Sequence, residues 1–147
     1  MTLARDKTDR RVVSGLALLF AFACTSCGKE ETQGVSVHPV SGQVFYLGKP
    51  ITGASVMFHP TSDPNSQSPR PHGQVDREGA FTLTTYRSGD GAPIGDYVVT
   101  IELRKTTPGR AGGGESLIPP KYGNPKESPL RATVTAGKNE IESFRIN

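Results

Sequence analysis

From Pro39 to the end of the chain, apolar residues recur at every second position in short runs, and Gly, Pro, Asn and Asp cut the runs apart. That period belongs to strands, whose side chains point alternately to two faces, and not to helices. "DYVVTIEL" (96–103) is the clearest case: Tyr97, Val99, Ile101 and Leu103 share one face, Val98, Thr100 and Glu102 the other. "VSGQVFY" (40–46) groups Val40, Gly42, Val44 and Tyr46, and "ASVMF" (54–58) sets Ala54, Val56 and Phe58 inward. "LGKPITG" turns the chain between them, with Gly48 free to take positive φ and Pro50 pre-set for a bend. "GQVDREGAFTLTTY" (73–86) predicts a hairpin turning at Asp76-Arg77-Glu78-Gly79, with Phe81 and Leu83 inward. "LRATV" (130–134) buries Leu130, Ala132 and Val134. In "EIESFRI", Phe144 and Ile146 alternate while Ile141 is one residue off register, which predicts a bulge or a late strand start. No 3.6-residue repeat runs for ten residues, and 17 Gly with 12 Pro fit many turns. The expectation is one all-β domain of seven strands, a sandwich or barrel.

The first thirty residues follow a different pattern. Arg5, Lys7, Arg10 and Arg11 outweigh Asp6 and Asp9, and an apolar run from Val12 to Ala23 follows. Twelve residues make a helix of roughly 18 Å, well short of the ~30 Å hydrocarbon core. A basic head, a short apolar run and small residues describe an export signal that is removed on maturation. The two cysteines, Cys24 and Cys27, lie where this run ends. A redox Cys-x-x-C belongs beside a βαβ unit, and a structural zinc site needs four closely spaced ligands. His38, His59 and His72 are scattered and supply neither. "LFAFACTSCGKE" (19–30) instead resembles a bacterial lipobox, in which small residues precede a cysteine that takes the lipid. Cys27, after Thr25 and Ser26, is the preferred attachment site, because modification there discards Cys24 with the signal. Cys24, after Ala23, is the alternative and would leave Cys27 as an odd thiol.

Cleavage changes the charge. Of 17 basic and 14 acidic residues, four and two lie before Cys27, leaving 13 against 12, a net charge of +1. A near-neutral domain has no basic face for nucleic acid, which is excluded as a partner. Residues 28–38, "GKEETQGVSVH", read as a flexible tether between lipid and domain. Three segments, "VSGQVFYLGKPITGASVMFHP", "VDREGAFTLTTYRSGDGAPIGDYVVTI" and "IPPKYGNPKESPLRATVTAGKNEI", then carry a resemblance. They resemble planctomycete-type envelope lipoproteins with a carboxypeptidase regulatory-like domain, over residues 38 to 147. The resemblance implies a transthyretin-like fold, a seven-stranded Greek-key β-sandwich over 39–147 behind a signal peptide and lipobox (1–27). It also implies a domain without catalytic activity. Hydroxyisourate hydrolases of this fold class end in Tyr-Arg-Gly-Ser, whereas this chain ends "SFRIN".

Few motifs invite chemistry. "GRAGGGES" (109–116) approaches a phosphate-binding loop, but Glu115 stands where a Lys must reach phosphate, so it reads as a Gly-rich loop. Asp76 and Asp90 lie in glycine turns, where carboxylates either join an oxygen-lined calcium site or satisfy turn amides. Tyr122, between Lys121 and Gly123, either stacks on a ligand or anchors its loop. Asp76, Asp90 and Tyr122 are therefore the candidate binding-loop residues, with no catalytic residue, metal site or cofactor expected. The chain reads first as a lipid-anchored, non-enzymatic module of the cell envelope, joined to the membrane by palmitate-type lipid and acting in structure or in contacts with envelope proteins. A loop-mediated binder of polysaccharide or Ca²⁺ is the second reading, and a hydrolase the third.

Overall fold

A computed structural model describes residues 34–62, 68–105 and 114–147. Cys24 and Cys27, the segment expected to be an export signal and most of "GRAGGGES" lie outside the described residues. Eleven strand segments form, in chain order β1 (Val37–His38), β2 (Val40–Tyr46), β3 (Lys49–Pro50), β4 (Ser55–Pro60), β5 (His72–Gln74), β6 (Ala80–Thr82), β7 (Ala92–Pro93), β8 (Gly95–Glu102), β9 (Arg131–Val134), β10 (Asn139–Glu140) and β11 (Phe144–Ile146). A single 3-10 turn, Pro120–Gly123, precedes β9. No helix among the described residues is long and apolar enough to cross a membrane.

The protein is an all-β sandwich. One sheet runs β5-β4-β8-β9, antiparallel throughout. The other is built on β2, which pairs antiparallel with β3 and β6 and parallel with β10 and β11. Each strand delivers its alternate residues between the sheets: Val40 and Val44 from β2, Val56 and Phe58 from β4, Val99 and Ile101 from β8, and Phe144 and Ile146 from β11. Phe58 holds the middle, its ring 5.5 Å from Tyr97 and 6.5 Å from Phe81. The Phe81 ring stacks in turn on Phe144 at 6.2 Å. These tilted and stacked rings fill the space between the sheets with apolar surface, the main stabilising term for a domain of this size. Tyr97 keeps its hydroxyl satisfied by donating to the Pro93 carbonyl at 2.7 Å. Burial pushes its phenol pKa up.

The structure departs from the sequence expectation in three places. Strand segments number eleven instead of seven, because β1, β3, β7 and β10 add two-residue pairings that alternation cannot signal. The hairpin expected over 73–86 is bonded only at its ends. His72 and Thr84 exchange backbone bonds, and Asp76 N–H donates to the Ala80 carbonyl. Between those ends β5 pairs with β4 and β6 pairs with β2, so the chain turns a corner from one sheet to the other. Val37 and His38, expected to end the tether over 28–38, instead pair with Pro93 and Ala92 as β1; residues 28–33 of that segment lie outside the described residues. The irregularity expected at Ile141 is a bulge. Asn139 and Glu140 face Val40 and Ser41, yet Phe144 faces Val44, so four steps on one strand match three on the other.

Candidate functional site

Asp90 shapes the loop between β6 and β7. Its carboxylate accepts backbone N–H bonds from Thr85 at 2.7 Å, Tyr86 at 2.9 Å and Arg87 at 2.8 Å. Burial alone would raise its pKa, but the amide bonds outweigh it and hold the carboxyl below the usual range. The hydroxyls of Thr84 and Thr85 finish the loop, the first accepting from Gly89 N–H and the second donating to the Gly91 carbonyl. Gly91 passes so close to β1 that a Cβ there would overlap the His38 carbonyl, and its φ is +95°. Only glycine fits at this crossing.

Asp76 plays a similar part in its own turn. One carboxylate oxygen accepts from Glu78 N–H at 3.0 Å and Ala80 N–H at 2.8 Å. Asp90 through both carboxylate oxygens and Asp76 through one thus accept turn amides, the second of the two roles open to them. Among the described residues, no group of three His, Cys, Asp or Glu is arranged to hold a metal.

Tyr122 is an anchor. Its ring is 5% exposed within the core, and its hydroxyl reaches the Asn147 carbonyl at 3.4 Å. The bonds around it explain the position. Leu117 N–H donates to the Leu103 carbonyl, and Val99 N–H to the Leu130 carbonyl. Between those points the chain leaves β8 in a wide excursion, which tucks Ile118 and Tyr122 inward and buries the Ser128 hydroxyl against the Val99 carbonyl. Lys121 covers the ring, 4.9 Å from its centroid. Asp76, Asp90 and Tyr122 sit in three separate turns, each bonded within its own neighbourhood.

The histidines are likewise dispersed. His38 Nδ1 accepts from Gly137 N–H at 3.1 Å. His59 Nε2 meets the Thr100 hydroxyl at 2.9 Å, and burial, with Arg70 nearby, lowers its pKa. His72 is exposed on the β5 edge.

One feature escaped the sequence. Tyr46 faces Lys49 across β2 and β3, so Leu47 and Gly48 form a two-residue hairpin loop with φ of +50° and +76°. Positive φ at both positions defines a type I′ turn, which favours Asn-Gly. A leucine there is strained, and it is 66% exposed. Its N–H donates to the Ile146 carbonyl at 3.0 Å, tying the tip to the last strand. Beside it opens a groove of about 490 Å³ lined by Phe45, Gly48, Arg145, Ile146 and Asn147. "YLGK" does signal a turn through Gly48. What alternation could not show is that an apolar side chain occupies the strained corner.

No protein-family model matches the chain, and no curated protein matches it. Among solved structures, the chain is similar to a 9R-lipoxygenase from Cyanothece at 13% identity and a TM-score of 0.43. The match spans 76% of this chain and 16% of the lipoxygenase. At that score the likeness bears on neither fold nor chemistry here.

Proposed function

We propose that the protein is a lipid-anchored, non-enzymatic β-sandwich module of the cell envelope that contacts other envelope proteins through the β2–β3 hairpin tip. The observation that carries the contact surface is Leu47. Backbone strain persists where a structure retains it for use, and an exposed, strained leucine beside a groove meets that description. The groove joins the apolar Phe45 to the cationic Arg145, which suits a partner segment with an apolar side chain next to an acidic one. The anchored state rests on the sequence around Cys27. The kinship with carboxypeptidase regulatory-like, transthyretin-like domains is part of the same proposal. Its support is the all-β sandwich itself, with one antiparallel sheet in the order β5-β4-β8-β9 packed on a sheet built on β2.

A photo-crosslinking residue at position 47, in the protein expressed in its own envelope, tests the contact. A discrete protein adduct from position 47, absent from a crosslinker at Met57 on the opposite sheet, is expected. Identical products from both positions, or none from position 47, contradict the assignment. The loop-mediated reading for polysaccharide or Ca²⁺ draws no comparable support: Asp90 and one Asp76 oxygen accept amides of their own turns, and the Tyr122 hydroxyl reaches the Asn147 carbonyl from a buried ring.

A further inference from the structure

At the end of the sandwich where the described chain begins, five exposed or half-exposed groups lie close together. Val35 N–H donates to the Tyr86 hydroxyl at 3.2 Å, and Gly34 lies so close to the Tyr86 ring that a Cβ would stand 2.9 Å from it. Val37 faces Pro93 in antiparallel register, and that register carried on sets Ser36 opposite Ile94 and Val35 opposite Gly95, so Ile94 and Val35 lie at the same end of the sandwich. Val35 is 60% exposed, Ile94 58% and Tyr86 45%. These are three of the six large apolar side chains the described surface leaves open. The cation Arg87 follows Tyr86, and Lys138 lies one residue from Gly137, which is bonded to His38 of β1. Of the nearby acids, Asp96 accepts from the Thr133 hydroxyl at 2.6 Å, Asp90 is held inside its loop, and Glu140 is exposed on β10. Two aliphatic side chains, a tyrosine and two cations at one end form the set that settles at a bilayer interface, where amphipathic rings sit at headgroup depth.

We infer that this end of the domain docks on the surface of the membrane that holds its own lipid anchor. The inference rests on the lipid-anchor reading above. Seven residues of travel separate Cys27 from Gly34, at most about 24 Å of fully extended chain and about 15 Å as a flexible coil. A tether that short keeps the Val35–Tyr86–Ile94 end beside the headgroups at high effective concentration. The patch therefore needs no affinity of its own to bind; it sets orientation. β8 starts at this end and runs roughly 26 Å away from it, so docking presents Leu47 and Leu117 outward.

The chain contains no tryptophan, so Ile94→Trp and Leu117→Trp each create a single reporter at opposite ends of β8. The full, acylated chain is reconstituted in phosphatidylethanolamine–phosphatidylglycerol vesicles carrying brominated acyl chains. Ile94→Trp is expected to blue-shift and to be quenched by the bromolipid relative to detergent solution, while Leu117→Trp keeps its water-exposed emission. Val35→Trp should follow Ile94→Trp. An acylated chain that floats with the vesicles, yet leaves the two reporters alike, overturns the docking and spares the anchor. A chain that carries no acyl group and fails to float overturns the anchor, and the docking with it.

Discussion

Leu47 occupies a corner where backbone geometry asks for Asn or Gly. The two demands on that position, fold and contact, point in opposite directions. Leu47→Asn should raise the stability of the domain by about 1 kcal/mol, the lower end of the usual cost of a strained non-glycine residue. The same change should reduce partner contact, and a melting curve paired with crosslinking yield reads both. Asp90 offers a second residue-scale prediction. Its folded pKa is depressed, so the unfolded chain binds the proton more readily. Its stabilising contribution is complete above the ordinary carboxylate value near ~3.9 and is lost as pH falls through the lower folded value. Asp90→Asn should destabilise the domain at neutral pH and flatten its acid dependence below about pH 4, as read from melting midpoints across pH. The turn-holding role of Asp90 was one of two the sequence left open. Choosing between them required the three amide distances, which depend on how the loop folds back on itself.

At the scale of elements, alternation located every long strand because one face of each is buried. The inward residues of β2, β4 and β8 are those the period-2 pattern selects, and β8 in addition buries Thr100 on its other face. The pattern could not say which sheet each strand joins. "GQVDREGAFTLTTY" reads as a hairpin because it has the right turn, yet β2 competes for β6 and wins its middle residues. The pairing of β1 with β7 was hidden for another reason: two-residue strands carry no period. Gly91 makes that pairing possible by letting the loop pass under the His38 carbonyl. Gly91→Ala should therefore cost at least ~2 kcal/mol through strain at positive φ and displacement of β1. Amide hydrogen exchange should show loss of protection first at Val37 and His38. Unchanged protection there would contradict the dependence of the β1–β7 pairing on Gly91.

For the molecule as a whole, burial in one sandwich core explains the fold without help from cysteine chemistry, since both cysteines precede the described residues. Phe58 touches the aromatic rings of both sheets, so Phe58→Ala should cost roughly 3–5 kcal/mol and lower the denaturation midpoint accordingly. Wild-type midpoints that respond to reductant would contradict that account. The candidate site was less legible than the fold. Asp76, Asp90 and Tyr122 were found as residues, but their side chains serve turns and core, while the strained Leu47 gave no chemical signature in the sequence. The proposed anchor, lipid on a cysteine after the apolar run Val12–Ala23, would hold the sandwich to a membrane. Mass spectrometry of the N-terminal peptide, purified from the native envelope after labelled-palmitate growth, tests it directly. The result predicted is a mature chain beginning at Cys27 that bears a diacylglyceryl thioether and the palmitate label. A chain that retains residues 1–26 with Cys27 and Cys24 unmodified would contradict it.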